Sequence, residues 1–185
     1  MAERFRVGKA EIALVQGDIT SMDADAIVNG ANSTLMGGGG VDGAIHKAGG
    51  SQILLECERI RKEQWPDGLP TVEAAMTSGG NLKARHVIHT VGPIWRGGNH
   101  SEPQPLGQAY LNSLKLAVSK GLKTLAFPSI STGAYGYPIE KASEIALAAV
   151  KKFLENEDGL DMVIFVLFSK RDRDIYVEKA RRALC

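Results

Sequence analysis

Short apolar runs alternating with segments of helical period predict an α/β protein, a three-layer α/β/α sandwich. Three observations carry this expectation. Residues 11–16 (EIALVQ), 86–91 (HVIHTV) and 162–168 (MVIFVLF) are apolar runs of strand length; the last is continuous, as in a strand covered on both faces. Residues 106–119 and 139–154 are too long for strands and repeat apolar residues at helical spacing. The two kinds of segment alternate along the chain, which is the order of a largely parallel sheet. A length of 185 residues suits one domain over 1–185.

Taken in order, 11–16 and 25–29 (DAIVN) read as strands, with GDIT supplying the turn between them. Residues 41–48 and 52–62 read as helices, 71–77 as a short strand, and 86–91 as a strand ended by Gly92-Pro93. Leu111, Leu114, Leu116 and Val118 mark the helix over 106–119, and Pro128 stops a strand over 124–127 (TLAF). Ile145, Ala149 and Phe153, four apart, give the helix over 139–154 its stripe. A strand over 162–168 and a helix over 171–184 finish the chain. The loop over 95–105, with adjacent glycines and two prolines, is expected to be a mobile insertion.

Lys and Arg number 22 against 21 Asp and Glu, a net charge of +1. That balance speaks against a protein held to nucleic acid or an anionic membrane by bulk charge. No apolar run approaches the ~20 residues that a membrane span needs. The opening MAERFRVGKA has no apolar stretch behind its basic residues, so no secretory signal is expected. Cys57 and Cys185 are too few for a disulfide framework and lack metal-ligand spacing. A cytoplasmic monomer is the expectation. Glycine is in excess, at 21 residues or about 11% against a usual ~7%, and the excess is clustered.

Residues 37–46 read GGGGVDGAIH. Consecutive glycines make a loop here, just ahead of a helix: either a flexible linker or, as the strand-loop-helix setting favours, a place where N–H groups and the helix's positive end suit a phosphate. Gly38, Gly40 and Gly43 match the G-x-G-x-x-G spacing, but no tight strand-to-helix turn precedes them and no Gly-Lys-Ser/Thr follows. The loop is a phosphate cradle of neither the Rossmann nor the Walker kind. Asp42 either charges the helix N-terminus, where carboxylates are stabilised, or serves the site. Asn29 and Asn32 either organise turns through side-chain bonds or belong to the site.

Residues 129–138 (SISTGAYGYP) form a second loop of small residues between a strand and a helix. In open α/β sheets ligands lie beyond the carboxyl ends of strands, so two such loops on one edge can grip a diphosphate. Ser131 is not in a G-x-S-x-G elbow, which argues against a serine hydrolase. His86 and His89 read as core or strand-edge residues, His46 as lining or covering the site, and Cys57 as a small buried hydrophobe. The run over 170–174 alternates in charge and reads as a solvated helix start.

The motifs VQGDIT (15–20), DAIVNGAN (25–32), GGGGVDGAIH, VIHTVGP (87–93) and AFPSISTGAYGYP (126–138) together resemble a macrodomain of the MacroD-type branch, over residues 10–176. The resemblance implies an α/β/α sandwich with a mixed central sheet and ADP-ribose across its crest. It implies that Asp18 accepts a hydrogen bond from the adenine amino group, with Ile19 beside it and Phe168 as an aromatic wall. By the same resemblance Ser131, Thr132, Gly133, Ala134, Tyr135 and Gly136 wrap the diphosphate, Tyr135 covering the distal ribose. Gly39, Gly40 and Val41 close the other side, and Asn32 and Asp42 are the functional pair.

MacroD-type enzymes cleave O-acetyl-ADP-ribose and release mono-ADP-ribose from Asp or Glu of proteins, with no metal and no cofactor. The resemblance therefore implies a hydrolase of ADP-ribose esters, acting through a positioned water. The rival readings are a reader that binds ADP-ribose without turnover and a phosphatase of ADP-ribose 1″-phosphate. Gly30 stands where the family usually has Ala, and Val72 where many members have Gly.

Overall fold

The computed structural model describes residues 2–185. Seven strands form one sheet: β1 (Glu3–Val7), β2 (Ala10–Gln16), β3 (Ala26–Gly30), β4 (Ala74–Ser78), β5 (His86–Thr90), β6 (Thr124–Phe127) and β7 (Met162–Leu167), in the spatial order β1-β2-β7-β6-β3-β5-β4. Five helices join them: α1 (Gly40–Gly49), α2 (Ser51–Glu63), α3 (Pro103–Ser119), α4 (Ile139–Asn156) and α5 (Lys170–Leu184). Neighbours from β2 to β5 run parallel, whereas β1 runs antiparallel to β2 and β4 to β5. The sheet is thus parallel at its centre, as alternation predicts, and mixed through its two edge strands.

Strand periodicity divides the core. Along β7, Val163, Phe165 and Leu167 join the layer built with α3, α4 and α5, while Ile164 and Val166 join the layer built with α1 and α2. Tyr110, Phe127, Phe165 and Tyr176 form a chain of rings 4.9, 5.9 and 5.3 Å apart. Truncating Phe165 to Ala would cost about 3–5 kcal/mol.

Three departures from expectation have local reasons. β1 was not expected; its ERFRV buries only Phe5 and Val7 and exposes Arg4 and Arg6, a pattern suited to an edge strand. β4 starts at Ala74 rather than 71 because Val72 has φ +74°, outside strand geometry. α3 starts at Pro103, taking in the end of the expected mobile insertion. Among the described residues no helix is long and apolar enough to cross a membrane.

The pairing of β3 makes room for the site. β3 pairs with β5 along its whole length but with β6 only at Ala26 and Ile27. Beyond that point the two strands part. The chain after β3 goes to α1 and α2 on one face, and the chain after β6 goes to α4 on the other. A crevice opens at this switch point. Asp25 ties the closed end: it accepts from the N–H groups of Lys123 and Thr124 at 2.6 and 3.1 Å and pairs with Arg85.

Candidate functional site

The crevice is a cleft of about 330 Å³ lined by residues 30–32 at the end of β3, 39–42 at the entry to α1, Gly92 after β5, and 128–131 and 133–135 after β6. Both glycine-bearing loops therefore meet on one sheet edge.

One wall is the start of α1. Gly39 precedes the helix without a side-chain cap, so the first-turn N–H groups stay available to an anion. Gly43 has to be glycine, since a Cβ there would lie 2.2 Å from the Gly38 carbonyl oxygen. Asp42 follows in the first turn and is only 5% exposed. Its Oδ1 accepts from Asn29 Nδ2 at 2.8 Å and lies 3.5 Å from His46 Nε2. Its Oδ2 has no protein donor among the described residues and sits beside Gly38.

The two asparagines divide the roles left open by the sequence. Asn32 organises its turn: Oδ1 accepts from the N–H and hydroxyl of Thr34 at 3.0 and 2.5 Å, and Nδ2 donates to the Gly37 carbonyl at 3.0 Å. One of its N–H bonds remains for the cleft that Asn32 lines. Asn29 is fully buried and reaches Asp42 on one side and His89 Nδ1, at 3.1 Å, on the other.

The opposite wall is the loop after β6. Among the described residues, the N–H groups of Ser131, Thr132, Gly133, Ala134 and Tyr135 make no hydrogen bond within the protein. The Gly136 N–H is spent on the Gly133 carbonyl at 2.9 Å, and the Thr132 hydroxyl on Ser129 O at 3.1 Å. Ser131, Gly133, Ala134 and Tyr135 line the cleft; Thr132 and Gly136 belong to the loop but not to the lining, because Gly136 closes the turn. Ser131 has φ +69°, and its buried Oγ packs so closely on Gly92 that a Cβ there would lie 2.3 Å away.

A strap on the flank holds this wall. Glu102, almost fully buried, accepts from the N–H groups of Arg96 and Gly98 at 2.8 and 2.9 Å and of His100 at 2.7 Å. Burial opposes ionisation of Glu102, but these N–H bonds prevail and hold its pKa at about 2. The expected mobile insertion thus carries its own tether. Trp95, next to it, donates its backbone N–H to the Tyr135 carbonyl at 2.8 Å and meets the Tyr137 ring at a tilt of 54°, ring centres 4.7 Å apart.

Farther along the sheet edge, β2 and β7 end side by side, with Gln16 opposite Leu167 and the Gly17 N–H on Leu167 O. This brings Asp18 and Phe168 to the same crest. Asp18 Oδ1 caps the following turn through Thr20, at 2.9 Å to N and 2.7 Å to Oγ1. Ile19 is buried, so its side chain serves the core. Phe168 lies just past β7 with 82% of its surface exposed. These three lie outside the cleft lining.

Sequence reading missed what lies beneath Asp42. His46, Cys57 and His89, from α1, α2 and β5, bring their donor atoms within 4.8 Å of one another. No local spacing signals this cluster. Both His89 nitrogens are engaged, Nδ1 with Asn29 and Nε2 with Thr77 Oγ1 at 3.0 Å. Burial, with the charges of Asp42, Glu56 and Glu58, pushes the Cys57 thiol up to about 12. Burial, with His46 beside it, drives the His89 imidazole down to about 3, so the ring is neutral. The cluster is a hydrogen-bonded core. One signal was available: a histidine and an asparagine inside apolar strands must find partners there.

A family model described as Macro domain matches residues 28–146. The chain is 56% identical over 168 residues to a macro domain-containing protein of Caldanaerobacter subterraneus subsp. tengcongensis, covering 91% of this chain and 94% of that protein. It is 51% identical over 168 residues to the O-acetyl-ADP-ribose deacetylase of Escherichia fergusonii, covering 91% and 94%. Among solved structures it superposes on a mutant Oceanobacillus iheyensis macrodomain with ADP-ribose at a TM-score of 0.95, with 43% identity, covering 99% of this chain and 98% of that one.

Proposed function

The chain belongs to the macrodomain family, and on that premise we propose that it hydrolyses ADP-ribose esters: the acetyl ester of O-acetyl-ADP-ribose, mono-ADP-ribose on Asp or Glu of proteins, or both. The carrying observation is Asp42. A carboxylate beside an anion cradle is electrostatically unfavourable, yet this one is buried, held at Oδ1 by Asn29, and left with Oδ2 free. The name of the relative from Escherichia fergusonii supports the same activity.

In this reading the diphosphate lies between the first turn of α1 and the amides of Ser131 to Tyr135. Adenine lies toward Asp18 and Phe168. The distal ribose lies under Tyr135, with its ester near Asn32 and Asp42. Water adds to the acyl carbon, the bond from that carbon to the ribose oxygen breaks, and the water's proton ends on the ribose oxygen. Asp42 Oδ2 orients that water or takes its proton first, and backbone N–H groups stabilise the charge that develops.

The test is turnover of O-acetyl-ADP-ribose by wild type and Asp42→Ala, with ADP-ribose affinity measured on both. We expect turnover to fall by roughly 10²–10⁴-fold while affinity stays within a few-fold. ADP-ribose binding without cleavage of either the acetyl ester or a protein-linked ester would instead identify a reader.

A further inference from the structure

We propose that His89 is the positioning residue of this site: its tautomer, set by Thr77, decides that Asn29 presents a donor to Asp42. The catalytic meaning of this rests on the hydrolase reading above; the geometry does not. Thr77 has one hydroxyl proton and gives it to the Ser78 carbonyl at 2.9 Å. Toward His89 Nε2, 3.0 Å away, Thr77 Oγ1 is therefore an acceptor, and the proton of the neutral imidazole sits on Nε2. Nδ1 is left as an acceptor.

The consequence passes to Asn29. Its Nδ2 faces His89 Nδ1 at 3.1 Å and Asp42 Oδ1 at 2.8 Å, so both amide hydrogens are used, one on each. With the other tautomer, the Nδ1 proton would meet an N–H and the amide would have to turn over. Asn29 Oδ1 would then face Asp42 Oδ1, two acceptors at hydrogen-bond distance and one of them charged. The carboxylate would leave its place. A hydroxyl on β4 thus fixes a carboxylate on α1 through β5 and β3. All members are buried, where a mispaired polar group is costly. The neutrality of His89 near neutral pH, from its burial and its neighbour His46, leaves Nδ1 an acceptor there.

Imidazole nitrogen NMR on the wild type reads the tautomer directly, and the expected result is neutral His89 protonated at Nε2. Protonation at Nδ1, or a doubly protonated ring at neutral pH, would overturn the proposal without any variant being made. Thr77→Val removes the acceptor and keeps the shape. It should lower kcat for O-acetyl-ADP-ribose roughly 10- to 100-fold, with KM and ADP-ribose affinity nearly unchanged. Thr77→Ser, which returns the hydroxyl, should restore most of kcat. Unchanged kcat in Thr77→Val, or equal losses of kcat and affinity in both variants, would mean that Thr77 and His89 only pack the core. If the wild type cleaves no ester the hydrolase reading fails, while the NMR still decides whether His89 and Asn29 hold Asp42.

Discussion

The two walls of the cleft are held from different directions. The α1 wall is anchored from beneath, through Asp42, Asn29, His89 and Thr77, in a line of buried hydrogen bonds running across β3, β5 and β4. The loop after β6 is anchored from the side, through Trp95 and a strap gathered by one carboxylate, Glu102. A network inside the sheet, in which only Asn29 Oδ1 lacks a partner among these bonded groups, cannot shift without mispairing more buried polar atoms, so it suits a group that must be placed for chemistry. A loop tied to another loop can adjust by small backbone movements, which suits the diphosphate grip proposed for this wall. The α1 wall should therefore govern kcat, and the loop wall affinity.

Glu102→Gln is the strongest way to break that division. Glu102 accepts at both oxygens, so an amide at this place turns a donor toward a backbone N–H whichever way it is oriented. The strap loosens and the Trp95 bond to Tyr135 loses its support. ADP-ribose affinity should weaken roughly tenfold by calorimetry, a change that would appear in KM while kcat stays within about twofold. A fall in kcat alone would show that the strap serves the chemistry.

Acid separates the walls by a smaller effect. His89 has its pKa lowered from 6.5 to about 3 on folding, so the unfolded chain binds a proton that the folded one refuses. Its contribution to stability is complete above pH 6.5 and is lost as pH falls toward 3. Glu102 has its pKa lowered from 4.5 to about 2, so its contribution is complete above pH 4.5 and is lost toward pH 2. Urea unfolding between pH 6.5 and 4.5 therefore reports the buried network before the strap titrates. The expected slope from His89 is up to ~1.4 kcal/mol per pH unit. A flat profile there would mean that His89 accepts its proton in the folded state.

How much of this was legible in the sequence follows the same division. β6 was expected at its observed bounds, and β7 and α4 nearly so, because periodicity and prolines are local signals. That residues 39–42 and the loop over 131–135 would meet on one edge was legible because glycine clusters mark backbone meant for close approach. β1 was not, since two apolar residues among charges read as a strand only once β2 lies beside them. Nor was Glu102, an acidic residue between a serine and a proline that gains meaning only when three N–H groups fold around it. The sequence marks His89 and Asn29 singly, but their pairing joins β5 to β3 across a register that only the fold supplies.

Val72 offers the smallest effect and the cleanest control, because neither of its backbone hydrogen bonds goes to either wall. It is held at φ +74° by its N–H on Val91 O at 2.8 Å and by Asn112 Nδ2 on its carbonyl at 2.9 Å. A β-branched residue in the left-handed region is strained by about 1–3 kcal/mol. Glycine, the residue that many macrodomains have here, takes this conformation freely but costs roughly 0.5–1 kcal/mol of chain entropy. Val72→Gly should therefore raise unfolding stability by about 1 kcal/mol. Both backbone bonds survive the change, so kcat and ADP-ribose affinity should stay as they are. Should either move, the segment before β4 acts as a third support of the site, and holding the walls only from beneath and from the flank would be too few.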